Sequence, residues 1–168
     1  DQIYKEFNPE NTDVFVAIGY SKMNKVRENK YFDIKSKGFK MATFIHPKVK
    51  IWESNTFGEN VLILEDNTIQ PYTSFGDNTF LWSGNHIGHH SKVGNNCFIS
   101  SHVVISGYCL VEDNSFIGVN STLHDGITIG RESLIGAGTL ITKSTKPKSV
   151  YLNKATKPFQ KKSNEISF

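Results

Sequence analysis

Cysteine is scarce: Cys97 and Cys109 are the only two in 168 residues, and they do not form a Cys-x-x-Cys pair. That spacing excludes a disulfide scaffold and a paired-thiol metal site, and the two read as small buried residues in a reducing compartment. Long apolar runs are absent too. No stretch approaches the roughly 20 residues of a membrane-spanning helix, so no integral membrane segment is expected. No signal peptide opens the chain as given, and the expected location is the cytoplasm; the start at Asp1 without a methionine leaves room for residues upstream. Nor does one charge dominate. A net charge of +3 with mixed signs is too mild to argue for nucleic acid, and no DNA-binding or RNA-binding motif appears. The length fits one domain with a sizeable core, or one domain with a small appendage, and excludes a large multidomain enzyme.

What the chain has in abundance is a period. Every sixth residue from Ile45 is large and apolar: Ile45, Ile51, Phe57, Ile63, Ile69, Phe75, Leu81, Ile87, Val93, Ile99, Ile105, Val111, Ile117, Leu123, Ile129, Ile135 and Ile141. Four places after most of them stands a small or β-branched residue, as at Val61, Thr79, Ser91, Cys97, Val103, Cys109 and Ser121. A period of six fits neither the 3.6 of an amphipathic helix nor strict strand alternation. It fits a short strand, a corner and another short strand. Three hexapeptides then close one triangular coil, and an 18-residue super-period follows. It is visible in "FGEN" at Phe57, "FGDN" at Phe75, "VGNN" at Val93 and "VEDN" at Val111. Asn and Gly suit the left-handed backbone of sharp corners. The expected fold is mainly β, a parallel β-helix of hexapeptide repeats whose coils stack at about 4.8 Å, roughly five coils and about 25 Å tall.

Residues 1–44 break the period. "DVFVAIG" (Asp13 to Gly19) reads as a buried strand, Ser21 as the cap of a helix running to about Lys37, and "GFKMATFI" as a returning strand, together a partial α/β segment. The repeats occupy 45–142. Residues 143–168 form a tail rich in lysine, read either as a solvated extension or as an anion contact.

Four of the six histidines fall between Asn85 and Gly107. With the large apolar residue as position one and position five also inward, His86 is a position six, His89 a position three, and His90 and His102 are position fours. None is expected in the core. Residues 18 apart lie above one another, so His89 shares a column with Pro71, Gly107 and Asp125. Gly107 places no side chain over the imidazole and leaves a backbone N–H within reach. A base beside an open backbone donor suits attack on a carbonyl, the donor stabilising the oxyanion while the imidazole takes a proton. Metal binding competes, since three imidazoles converging on zinc make a hydratase-like site; against it, these histidines are spread over two faces and their corners. His46 and His124 read as surface residues.

The unbroken hexapeptides, "GNHIGHHSKVGNN", "FIGVNST" (Phe116 to Thr122) and "LIGAGTLI" (Leu134 to Ile141), resemble the bacterial hexapeptide-repeat sugar acyltransferases. The similar branch includes sialic acid O-acetyltransferases and the N-acetyltransferases of nucleotide-linked 4-amino sugars, and it extends over essentially the whole chain, lead-in included. The resemblance implies a left-handed prism, a homotrimer, and acetyl-CoA lying in the groove between neighbouring subunits, with no metal. It places the catalytic base on His89 and the glycine N–H facing the thioester carbonyl on Gly107. It places contacts to the pantetheine arm on Gly118 or Val119 and on Gly136 and Ala137. Attack on the thioester is direct, so no cysteine nucleophile is needed.

Two positions depart from that pattern. An orienting acidic residue commonly follows the base, and here His90 stands there. Trp82 replaces a sugar-site asparagine, with Asn85 or His86 left to substitute. The branch's glycine-rich nucleotide-holding segment does not appear upstream, so either the chain is a fragment or the acceptor is held differently. The implied activity is acetyl-CoA-dependent acetylation of a nucleotide-linked amino sugar in surface-glycan biosynthesis, with an O-acetylated sugar as the alternative. A metal-dependent hydratase and a noncatalytic trimeric scaffold are the competing classes, although glycine over His89 and an intact "GAGT" count against the scaffold. The lysine-rich tail could contact the 3′-phosphate of CoA.

Overall fold

The computed structural model describes residues 3–166. From Phe44 onward it is a left-handed parallel β-helix of about six turns. Its two-residue strands stack into three parallel sheets. An aromatic face carries Phe44–Ile45, Leu62–Ile63, Phe80–Leu81, Phe98–Ile99, Phe116–Ile117, Leu134–Ile135 and Val150–Tyr151. A histidine face carries Thr68–Ile69, His86–Ile87, Val104–Ile105, Thr122–Leu123 and Leu140–Ile141. The remaining face carries Thr56–Phe57, Ser74–Phe75, Lys92–Val93, Leu110–Val111 and Thr128–Ile129. The register is the 18-residue one: Lys92 pairs with Ser74 below and Leu110 above.

The second residue of each strand points inward, and from Ile63 to Ile141 these form one buried column per face. Burying a side chain of that size stabilises by about 1.5–3 kcal/mol. Position five also points inward, and its hydroxyls are satisfied by the coil above, as where Thr79 Oγ1 donates to the Gly94 carbonyl and Ser91 Oγ to the Ser106 carbonyl, or within their own coil, as where Thr73 Oγ1 donates to the Gln70 carbonyl. From Asn60 to Gly138 position four turns each corner in the left-handed region, with φ from 53° at Asn60 to 62° at Tyr72 and 78° at Gly84. Asparagine at one corner adds a ladder, Asn60 Nδ2 to Asn78 Oδ1 and Asn78 Nδ2 to Asn96 Oδ1, each 2.7 Å.

Four expectations are corrected. Ile51 is exposed, because it lies in the lowest coil with no strand pairing it to a coil beneath. The ladder continues past 142: Thr145 is buried, and Val150–Tyr151 pairs with Leu134–Ile135. Ser21 caps nothing. Helix α1 is Ile3–Glu6, and α2 starts only at Lys25 and runs to Ser36, behind an Asn24 in the left-handed region. Lys22, Met23 and Asn24 all have positive φ. They turn the chain so that Asn24 Nδ2 donates to the carbonyls of Asn114 and Ser115 instead of capping α2. The strand–helix–strand order is present, with Asp13–Val14 parallel to Lys40–Met41 and α2 as the crossover, but the strand expected to be buried over 13–19 is only two residues long and not buried, Val16 alone of that stretch being so, and "GFKMATFI" splits between Lys40–Met41 and Phe44–Ile45 of the prism.

This segment is docked on the prism. Phe15 stacks on Phe80 at 5.6 Å, and Tyr20 packs on Phe98 and Phe116 at 5.0 and 4.9 Å. The Arg27 guanidinium, fully buried, lies 4.4 Å over the Phe80 ring. It donates to the carbonyls of Ile18, Gly19, Asn78, Asn96 and Cys97. Burial pulls its pKa down to about 10, so it stays charged at neutral pH.

Candidate active site

The site begins with an irregularity in corner hydrogen bonding. At the asparagine corner the position-three N–H groups of Glu59, Asp77 and Asn95 each donate to a side-chain oxygen of the coil above, Asp77, Asn95 and Asp113, at 2.9, 2.8 and 2.7 Å. The corner between the histidine face and its neighbour does otherwise. There the His89 N–H donates downward to Gln70 Oε1 at 2.8 Å, and the Gly107 N–H has no partner among the described residues. The His89 carbonyl accepts from Tyr108 N–H at 2.9 Å. The backbone of His89 is therefore pinned from below and above, next to a free donor.

The imidazole of His89 is exposed and lies edge-on to Tyr108 at 5.0 Å. Its Nδ1 is 3.2 Å from His90 Nδ1. Only one of those nitrogens can carry the shared hydrogen; with it on His89, the Nε2 lone pair is left as the base. His90 turns the corner at φ 59°. Its ring is clamped between Tyr72 and Tyr108, both centroids 4.8 Å away and nearly parallel. This stack holds the residue standing where an acid was expected. The Cε1–Nε2 edge of the His89 ring lies against Gly107: a methyl group on that glycine would lie 2.8 Å from Cε1 and 2.9 Å from Nε2.

The other expected site residues are dispersed. His86 is half-buried on the histidine face, with Thr68 below and Val104 above. Trp82 is half-exposed at the far corner of that face. Asn85 is corrected outright. It is buried, its amide donates to the Trp82 carbonyl, and its Oδ1 accepts from Val103 N–H at 2.7 Å, so it binds coil to coil and reaches no acceptor. Gly118, Val119, Gly136 and Ala137 share the Trp82 corner, one face-width from His89. The ladder uses the N–H of Gly118 on Ile135 and that of Gly136 on Tyr151. Val119 and Ala137 keep N–H groups with no partner among the described residues. His124 is exposed and His46 half-buried.

Sequence reasoning missed Tyr72, Tyr108 and Gln70 as parts of the site. The signal was available: Tyr72, His90 and Tyr108 are 18 residues apart and so share one corner column. A cavity of about 560 Å³ lies at the foot of the histidine face, lined by Lys48, Lys50, Trp52, Gln70 and Pro71 among others. Lys50 Nζ sits 3.9 Å over the Trp52 ring. Among the described residues no three His, Cys, Asp or Glu side chains come together to hold a metal ion. Burial pushes the Cys97 thiol up to about 12 and raises Cys109 as well, which leaves both unsuited to nucleophilic work at neutral pH.

Two repeat models match the prism, the bacterial transferase hexapeptide over residues 72–107 and the hexapeptide repeat of succinyl-transferase over 110–143. No curated protein sequence matches the chain. Among solved structures, a mutant of perosamine N-acetyltransferase from Caulobacter crescentus in complex with CoA and GDP-perosamine superposes with a TM-score of 0.80 at 22% identity, over 89% of this chain and 68% of that one. The acetyltransferase domain of PglB from Neisseria gonorrhoeae gives 0.83 at 21% identity, over 89% and 71%. PerB from Caulobacter crescentus, also with CoA and GDP-perosamine, gives 0.78 at 25% identity, over 83% and 66%. Its repeats are similar to those of the bacterial hexapeptide transferases, and its fold is similar to that of these acetyltransferases.

Proposed function

We propose that this protein transfers an acetyl group from acetyl-CoA to the amine of a nucleotide-linked amino sugar, with His89 as the base. One observation carries the reading: the Nε2 edge of His89 faces Gly107, whose N–H is unpartnered among the described residues, on an exposed corner. Two of the similar structures hold CoA and GDP-perosamine, which supports both the donor and the acceptor class.

The chemistry follows from the two groups. His89 Nε2 removes a proton from the acceptor nitrogen as that nitrogen bonds to the thioester carbon. The Gly107 N–H donates to the carbonyl oxygen as negative charge gathers on it. When the C–S bond breaks, His89 returns its proton to the departing sulfur. His90 acts by accepting the Nδ1 hydrogen of His89, which keeps the lone pair on Nε2. The free N–H groups of Val119 and Ala137 suit the amide carbonyls of the pantetheine arm. The cavity at the foot of the histidine face, with Lys48, Lys50 and Trp52, suits the phosphate and base of the nucleotide.

The two groups of residues lie on different corners, which fits a homotrimer in which the His89 corner of one protomer meets the Ala137 corner of its neighbour. Outward apolar residues on the intervening face, Val104 at 38% and Leu140 at 65% exposure, fit burial between subunits.

Replacing His89 with Ala is expected to lower kcat by roughly 10²-fold or more while leaving CoA affinity, read by calorimetry, within about twofold. Unchanged turnover in His89→Ala removes the base from this role. Absence of CoA binding by the folded wild type removes the donor.

A further inference from the structure

Asp125 stands in the His89 column, two coils above it, with only Gly107 between. Because Gly107 has no side chain, nothing in that column separates the carboxylate from the imidazole. A methyl group built on Gly107 would lie 2.9 Å from Asp125 Oδ1 and 2.9 Å from His89 Nε2. Twice 2.9 Å is therefore the most that can separate the two atoms. One atom hydrogen-bonded to both at about 2.9 Å each spans such a gap. Asp125 is exposed, and its carboxylate has no hydrogen bond or ion pair among the described residues. The ionisable groups around the spot are His89, His90, Tyr72 and Tyr108, with His124 Nδ1 near the Asp125 carbonyl.

We infer that Asp125 selects the acceptor: it takes a second hydrogen from the attacking nitrogen, so that an amine fits the site and a hydroxyl does not. The inference rests on the acetyltransferase reading above and narrows it. The site offers two acceptors to the nucleophile, an imidazole lone pair and a carboxylate. A hydroxyl has one hydrogen and satisfies one of them, leaving the other facing a lone pair. An amine has two and an ammonium three.

An aliphatic amine is mostly protonated near neutral pH, by comparison with the lysine reference near 10.4, and the carboxylate attracts that cation to the base. The ammonium first releases one proton to water. His89 takes a second as the N–C bond forms, and that proton reaches the sulfur as the C–S bond breaks. The products are the amide, the free thiol and one solvated proton, and Asp125 stays ionised throughout. Discrimination arises because the wrong acceptor leaves a polar group of the site unpaired, the kind of mismatch that separates substrates most strongly.

The test is Asp125→Asn, which keeps shape and removes charge, with Asp125→Ala beside it. Each is assayed with GDP-perosamine and with the GDP-sugar that bears a hydroxyl at the same carbon. The wild type is expected to prefer the amine. Asp125→Asn is expected to lower the amine-over-hydroxyl ratio of kcat/KM at least tenfold, through the acceptor KM, with the KM for acetyl-CoA unchanged. An unaltered ratio, or a loss confined to the KM for acetyl-CoA, overturns the inference. So does an equal gain with both acceptors, since Asp125 would then be shielding the Gly107 N–H. A wild type that acetylates only the hydroxyl compound overturns the amine reading together with the role of Asp125. A wild type that prefers the amine while Asp125→Asn is unchanged overturns the role alone.

Discussion

A methyl group added at Gly88 would lie 2.5 Å from the Gly107 nitrogen and 2.5 Å from the Ser106 carbonyl carbon. Those are backbone atoms of the coil above, and they can move only if the coil moves. Gly88→Ala is expected to destabilise the protein by about 1–3 kcal/mol, the usual cost of overpacking, read as a lower urea midpoint. It should also displace the donor that faces His89. Gly107→Ala is different in kind. The three atoms nearest its methyl are ends of two exposed side chains, His89 and Asp125, and both can turn away. Stability should stay within about 0.5 kcal/mol of wild type, while transfer falls roughly 10²-fold because the base has been pushed off its line. Measuring both variants by denaturation and by turnover separates a glycine needed for stacking from one needed for chemistry. A Gly107→Ala protein with normal activity would show that His89 does not work at that spot.

At the scale of elements, the docked N-terminal segment depends on Arg27. Its guanidinium serves five carbonyls, two from its own segment and three from the prism. Arg27→Met keeps much of the volume and removes every donor. Leaving buried carbonyls unpaired costs about 1–3 kcal/mol each when they cannot reach water, so a loss of about 3 kcal/mol or more is expected in urea unfolding. A loss under about 1 kcal/mol would mean that water replaces the guanidinium. The prism itself was legible because a six-residue period states which residues point inward, coil after coil. The docking was not, because the period says nothing about what covers an outward position. Phe80 and Phe98 occupy outward places and are buried all the same, under Phe15, Tyr20 and Arg27. An aromatic column at Phe80, Phe98 and Phe116 was the trace that cover leaves in the sequence. The site divides the same way. The meeting of His89 and Gly107 follows from adding 18, and the inward turn of Asn85 from its place as a position five, four after Leu81, whereas the capture of the Gly118 and Gly136 amides by the ladder depends on hydrogen bonds that residue type alone does not assign.

At the scale of the whole molecule, the width of the histidine face decides how many chains make one site. A strand of two residues and its flanking corners separate the His89 corner from the Ala137 corner, and both point away from the prism. Under the trimer reading, a subunit with His89→Ala still offers its neighbour an intact Val119 and Ala137 corner. A subunit with the exposed Ala137 replaced by Trp still offers an intact base. Each variant alone should be nearly inactive, while mixed trimers formed by co-expression should regain activity at the interfaces that pair one intact corner with the other. The regained activity should track the fraction of mixed trimers seen by native mass spectrometry. If donor and base instead met across the face of a single protomer, every chain in the mixture would carry one lesion in its own site. Mixing would then restore nothing, which makes the outcome a direct reading of whether the groove lies within the prism or between prisms.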